Sequence, residues 1–269
     1  MSAQDFPATF PKTAMVMAAG LGTRMRPLTD TRPKALIRVS GKALIDYVLE
    51  RFAGAGVKRA VVKVHHLAEQ VEAHMANVSG LDVVISDERG ERLETGGGLK
   101  KALRHFGGGP VFCTNTDAIM IDNADVEACS ALSSAWDGER MDALLLLVPI
   151  EKTSGYDGKG DFDCAADGRI ALRSGDAAPF VFTGLQIISP ALIAKGPDGA
   201  FSTRLLWDAA AAQGRLVHGL GGLARLRGGA DQARPDLQGA CPMGAPPRPG
   251  PRRATDAARS QPQGEAPHR

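Results

Sequence analysis

Ala14-Met15-Val16-Met17-Ala18-Ala19-Gly20-Leu21-Gly22-Thr23-Arg24-Met25-Arg26-Pro27-Leu28-Thr29, followed by Arg32-Pro33-Lys34-Ala35-Leu36, is the stretch on which the reading of this chain turns. Residues 14–19 are apolar throughout and stop at Gly20, as a buried strand does. A loop leaving the carboxyl end of such a strand is where α/β sheets bind ligands. Gly20 and Gly22 let backbone N–H groups approach a phosphate closely. Arg24 and Arg26 can fork onto phosphate oxygens, and Lys34, its approach stiffened by Pro33, adds a compact positive charge. Two commoner phosphate loops are excluded. The dinucleotide fingerprint needs a third glycine where Met25 stands, and the Gly-Lys-Ser/Thr of the P-loop is missing.

Outward from this loop, two hydrophobic periods alternate. Helical spacing covers residues 43–55, 68–76, 97–105, 125–132 and 203–213, where Trp207 reads as a core residue. Strand patterns cover residues 60–64, 81–85, 110–114, 143–148 and 180–188. That alternation predicts an α/β fold, a Rossmann-like three-layer domain around a mainly parallel sheet. Asp167-Gly168 is a hairpin turn signal between residues 161–164 and 169–172, which predicts a small antiparallel insertion.

The composition removes several functions. No run of about 18 apolar residues exists, so no membrane span is expected. Residues 1–11 are short and polar, unlike a signal peptide, and the expected compartment is the cytoplasm. Cys113, Cys129, Cys164 and Cys241 are widely spaced and read as reduced thiols, with neither a disulfide frame nor a zinc site. The net charge of +2 belongs to the end of the chain: the last 51 residues hold eight Arg against four acidic residues, leaving −2 for the rest. No nucleic-acid partner is therefore expected. Nothing in the pattern points to a particular oligomeric state. His65-His66 follow a strand, where adjacent side chains diverge, and read as a polar loop near the nucleotide with no metal.

Residues 219–269 contain no Val, Ile, Phe, Tyr or Trp and eight of the 17 prolines, too little apolar surface to offset the entropy of ordering. The expected organisation is one domain over residues 1–218 and a disordered or out-of-frame tail over 219–269.

Several polar residues sit where chemistry is done. Asp117 follows the apolar strand of residues 111–114 and can hold Mg2+ beside a triphosphate or simply cap a turn. Asn115 can hydrogen-bond a sugar substituent. Glu94 and Asp161 are either sugar acceptors or solvated loop carboxylates. Thr183-Gly184 either meets the sugar or forms a bulge.

The loop from Gly20 to Thr29 with Pro33-Lys34-Ala35-Leu36 resembles the sugar-1-phosphate nucleotidyltransferases, which join a sugar-1-phosphate to a nucleoside triphosphate and release pyrophosphate. The resemblance continues through Leu93-Glu94-Thr95-Gly96-Gly97-Gly98, Asn115-Thr116-Asp117, Gly160-Asp161-Phe162, Phe182-Thr183-Gly184 and residues 201–209, covering residues 12–218. It implies a GT-A-like domain and a nucleotide site made by Ala18, Ala19, Gly20, Leu21, Gly22, Thr23, Arg24, Lys34, Thr95 and Gly96. It implies sugar-phosphate contacts from Glu94, Asn115, Asp161, Thr183 and Gly184. Arg24, Lys34 and Asp117 become the catalytic set, with Mg2+ on Asp117. The implied partners are a nucleoside triphosphate and a sugar-1-phosphate. UTP with N-acetylmuramate-1-phosphate comes first; GTP with mannose-1-phosphate, or a heptose-1-phosphate, is the alternative. The chain departs from the family after Arg215-Leu216-Val217-His218. A Trp-bearing strand and a second metal-binding Asp are expected there, and Asp231 and Asp236 lack the strand context for that role. A catalytically silent, nucleotide-sugar-binding regulator is thus the alternative of a different class.

Overall fold

The computed structural model describes residues 10–122, 127–220 and 223–228. Strand β1 (Thr13–Met17) leads into the glycine loop. Two short strands, β2 (Arg38–Val39) and β3 (Lys42–Ala43), precede helix α1 (Leu44–Gly54). Then follow β4 (Arg59–Val64), α2 (Ala68–Met75), β5 (Asp82–Asp87), α3 (Glu94–Ala102), β6 (Val111–Asn115) and β7 (Ala118–Asp122). The second half runs through α4 (Ala128–Ala135), β8 (Ala143–Pro149), β9 (Thr153–Ser154), β10 (Phe162–Cys164), β11 (Ile170–Leu172) and β12 (Phe180–Ile188). Helices α5 (Pro190–Ala194) and α6 (Arg204–Ala212) and strands β13 (Leu216–Leu220) and β14 (Leu223–Gly228) close the described chain.

The sheet is α/β in kind and splits one core into two. Side chains on a strand alternate between faces. Ala14, Val16, Ala60, Val62, Leu144 and Leu146 accordingly face a cluster shared with Ile45, Val48 and Phe52 of α1, Val71 of α2 and Leu132 of α4. Met15, Val61, Leu145 and Leu147 face the opposite cluster, with Leu99 of α3, Ile193 of α5 and Leu206 of α6. This is the expected three-layer arrangement. Fully buried side chains such as Phe52, Phe112 and Leu144 each contribute about 2 kcal/mol of transfer free energy.

Strands β5, β4, β1 and β6 lie side by side and parallel. Strand β12 pairs antiparallel with both β6 and β8, with an irregularity in register between Phe182 and Gln186. The β10–β11 hairpin extends the sheet from β12, where the Asp167-Gly168 signal placed it. Trp207 is half-buried against the rings of Phe162 and Phe182, and its indole N–H donates to Gln186 Oε1 at 2.8 Å.

Helix α3 starts at Glu94, three residues before its expected start, strands β2, β3 and β9 were not anticipated, and four further features differ from the sequence reading. Strand β7 was not anticipated, because its five residues directly follow a polar turn. Helix α4 begins at Ala128, its first N–H held by Asp122 Oδ1 at 3.1 Å. Helix α5 is too short for a periodic signal. Finally, the fold does not stop at His218. Gly219 and Leu220 continue β13 in parallel register with β8, and β14 is sandwiched between β7 and β9. Partner strands supply hydrogen bonds there that composition does not register, and Leu226 is buried in the same core as β8. Residues 229–269, with Asp231 and Asp236, lie outside the described residues.

Candidate functional site

The glycine loop is shaped from within. Gly22 adopts φ +64, and Met25 N–H donates to its carbonyl at 2.8 Å. The hydroxyl of Thr29, itself 2% exposed, donates to the same oxygen at 2.8 Å. A Cβ on Gly22 would lie 2.6 Å from Thr29 Cγ2 and 3.2 Å from Lys34 Cβ, so only glycine fits. Met25 is buried against Ile37 and Leu44. The position where a dinucleotide loop has glycine is here an anchor that pins the turn to the domain.

Pro33 opens the second turn at φ −55, and Leu36 N–H returns to its carbonyl at 2.9 Å. Ala35 is buried beside it. Lys34 Nζ donates to Asp117 Oδ2 at 2.8 Å. The meeting follows from the sheet: β1 and β6 pair in parallel with Met17 opposite Asn115, so the segments leaving both strands emerge side by side.

Two cavities open there. The first, about 450 Å³, is lined by Ala19, Gly20, Leu21, Lys63, Thr95 and Arg92 among others. The second, about 370 Å³, is lined by Gly22, Thr23, Arg24, Tyr156, Asp161 and Leu226 among others. Gly20, Lys34, Asn115 and Asp117 line both. Lys34 and Arg92 in the first cavity and Arg24 in the second provide a field that favours phosphates.

The structure redistributes some expected contacts. Glu94, expected on the sugar side, lines the first cavity with Thr95. Ala18 is buried behind the wall, its N–H donating to Lys63 O at 3.2 Å. Gly96 is buried too: its N–H and that of Gly97 donate to Phe201 O at 2.8 and 3.1 Å. The first turn of α3 is thus capped by the 199–203 loop, which leaves the Gly96 amide engaged. Thr95 Oγ1 also accepts from Thr203 N–H at 2.8 Å.

In the second cavity Asp161 is held at both oxygens. Oδ2 accepts from Phe182 N–H at 3.0 Å, and Oδ1 from the Tyr156 hydroxyl at 3.2 Å. Burial and the neighbouring Asp161 charge push the Tyr156 phenol above its usual range, keeping it a donor. Thr183 turns its hydroxyl inward, donating to Leu146 O at 3.0 Å, and the residue lines the cavity. Gly184, at φ +92, falls within the β12 irregularity, and a Cβ there would lie 3.3 Å from Asn115 Cβ. Of the two sequence readings of Gly184, the bulge is present, and the residue also lines the second cavity.

Sequence reasoning missed Lys63, Arg92 and Tyr156. Only the lone tyrosine inside the Gly155–Gly160 loop carried a visible signal. It also left open what stands near the expected second acid. Strand β14 brings Leu226 to the second cavity, flanked by Arg225 and Arg227. His65 Nδ1 meets Glu88 O at 2.8 Å.

Asp117 is the carboxylate that lines both cavities. Among the described residues no group of three or more His, Cys, Asp or Glu could hold a metal. Asp117 is a single hard carboxylate, its side chain 37% exposed, at the seam of the two cavities. Mg2+ commonly takes one or two protein carboxylates and completes its shell with phosphates and water.

Comparison with known proteins gives the family and the fold. Residues 14–146 match the MobA-like NTP transferase domain. The chain is 51% identical over 211 residues to an N-acetylmuramate alpha-1-phosphate uridylyltransferase of Caulobacter vibrioides, covering 77% of this chain and 87% of that protein. It is 34% identical over 180 residues to a protein of the same name from Neisseria meningitidis serogroup B, covering 66% and 75%. The fold superposes on the inositol-1-phosphate CTP transferase from T. maritima with a TM-score of 0.70 at 17% identity, covering 87% of this chain and 98% of that one.

Proposed function

The chain belongs to the sugar-1-phosphate nucleotidyltransferases, and we propose that it joins N-acetylmuramate 1-phosphate to UTP. The products are UDP-N-acetylmuramate and pyrophosphate, a reaction that fits peptidoglycan recycling. The observation that carries the reading is the pair of adjoining cavities sharing Lys34 and Asp117. One takes the triphosphate and the other the sugar. The choice of UTP and N-acetylmuramate rests on the two relatives of that name.

In the proposed reaction an oxygen of the sugar phosphate attacks the α-phosphorus of UTP. The bond from that phosphorus to the bridging oxygen of the β-phosphate breaks, and its electron pair leaves with pyrophosphate. The nucleophile is already anionic, so no general base is required. The protein's work is positioning and charge stabilisation. Lys34 lies at the seam, where it neutralises both the α-phosphate and the incoming sugar phosphate. Arg24, on the loop that runs from Gly20 at the seam into the second cavity, holds outer phosphate oxygens that extend past the seam, and Asp161, fixed by Tyr156, orients the sugar. Asp117 would hold Mg2+, which when bound supplies further neutralisation of phosphate charge.

The described residues include no helix long and apolar enough to cross a membrane, and we assign the chain to the cytoplasm, where UTP is available.

The test is pyrophosphate release by the full chain with Mg2+ and a panel of triphosphates and sugar phosphates. UTP with N-acetylmuramate 1-phosphate is expected to give the highest kcat/KM. A higher value for GTP with mannose 1-phosphate overturns the substrate assignment. Binding of UTP without turnover on any pair overturns the enzymatic reading in favour of a nucleotide-sugar-binding regulator.

A further inference from the structure

Lys63 and Glu88 form a buried ion pair that the proposed reaction does not use directly. Lys63 Nζ lies 3.0 Å from Glu88 Oε2, with side chains 5% and 0% exposed. Lys63 stands near the end of β4 and lines the first cavity. A buried ion pair contributes little to stability compared with an apolar pair of the same volume, because both charges must be desolvated. Its retention calls for another reason.

Both charges grip the same turn. The Lys63 ammonium donates to the carbonyl of Glu94. Glu88 Oε2 accepts from the N–H of Leu93 at 3.0 Å. The Leu93-Glu94 dipeptide is therefore held at its two outer ends, the Leu93 N–H and the Glu94 carbonyl, by opposite charges. Glu94, the second residue of that dipeptide, adopts φ +56, a conformation that a residue with a Cβ keeps only when its surroundings impose it. The pair also fits tightly against α3: a Cβ on Gly98 would lie 2.8 Å from both Glu88 Oε1 and Lys63 Nζ. The 199–203 loop caps the other side of the same turn.

We propose that the Lys63–Glu88 pair is a positioning device for the triphosphate site, holding the 93–98 turn so that Glu94 and Thr95 form the wall of the first cavity. Lys63 and Glu88 are positioning residues here: they act through the turn. The inference rests on reading the first cavity as the triphosphate site.

The test compares wild type, Lys63→Met and the double variant Lys63→Met with Glu88→Met in the full chain. Three quantities are read: the Kd for UTP, the KM for each substrate, and the thermal midpoint. Lys63→Met leaves a buried carboxylate unpaired and is expected to lower the midpoint. The double variant removes both charges and is expected to regain it. Its Kd and KM for UTP are nevertheless expected to stay raised about tenfold or more, because the turn has lost its two backbone anchors. Its KM for the sugar phosphate is expected to stay within about twofold of wild type, since Asp161 and Tyr156 are untouched.

A folded double variant with wild-type Kd for UTP overturns the proposal. Equal loss of both substrates also overturns it, because that marks general loosening. If wild type binds UTP but turns over no sugar phosphate, the enzymatic reading fails while the Kd comparison still decides the clamp. A wild type that does not bind UTP overturns both.

Discussion

Lys34 Nζ and Asp117 Oδ2 stand 2.8 Å apart at the seam of the two cavities, although 83 residues separate them in sequence. The pair joins the loop after β1 to the turn after β6, and those strands are neighbours in the sheet. Lys34→Ala and Asp117→Ala are each expected to lower kcat by about 100-fold or more, as loss of a preorganised charge at a reacting phosphate does. Their effect on stability is expected to be about 1 kcal/mol or less, because the pair is partly exposed. Near-normal pyrophosphate release by either variant removes that residue from the catalytic set.

Gly20 and Gly22 separate function from folding. A Cβ on Gly20 meets nothing within 4 Å, whereas on Gly22 it strikes Thr29 at a φ of +64. Gly22→Ala is expected to cost roughly 1–3 kcal/mol of stability through backbone strain and the clash. Gly20→Ala is expected to keep the wild-type melting temperature while raising the KM for triphosphate. Thermal melts paired with initial rates check both, and equal melting temperatures for the two variants contradict the account.

Tyr156→Phe and Asp161→Asn act on the second cavity. Each is expected to raise the KM for the sugar phosphate by about tenfold, as loss of a placed hydrogen bond to a charged group does, and to leave the KM for triphosphate unchanged. Because the Tyr156 phenol is held above its usual range, no loss of activity below about pH 10 is expected from its ionisation. A raised triphosphate KM in either variant argues against the division of the two cavities.

His218 makes stability fall on mild acidification. Burial holds its imidazole below the ordinary 6.5, and Nε2 lies 2.8 Å from Cys164 Sγ. The unfolded chain takes up a proton near pH 6.5 that the folded chain refuses, so stability drops as pH falls below that value. Asp87, Glu69 and Asp167 are held below their ordinary values and act only in the more acid carboxylate range. His218→Gln is expected to flatten the dependence just below pH 6.5, with a residual slope from His105, whose imidazole burial also holds down. Melting curves from pH 7.5 to 5 decide it; a slope equal to wild type contradicts the assignment.

Much of the fold was legible because its signals are local. The alternation of residues in β1, β4 and β8 between two faces, and the helical spacing in α1, α2 and α6, are written into consecutive residues. Strand β12 was anticipated to the residue. What escaped was short or dependent on distant partners. Strand β14 carries only leucine, alanine, glycine and arginine, and it becomes a strand because β7 and β9 offer hydrogen-bonding edges on both sides. Gly96 could be named as part of a loop motif, but not as buried, since Phe201 lies more than a hundred positions away.

By itself, then, the sequence determined a glycine- and arginine-bearing loop on a strand of an α/β domain. Glycine positions and hydrophobic periods are properties of neighbouring residues, and the chain expresses them wherever it folds. Only the tertiary structure decided which charges meet. Sheet order puts Lys34 against Asp117 and Lys63 against Glu88, and it turns Leu226 into the second cavity. Those pairings arise between segments far apart in the chain, where register and packing, and no local pattern, select the partner.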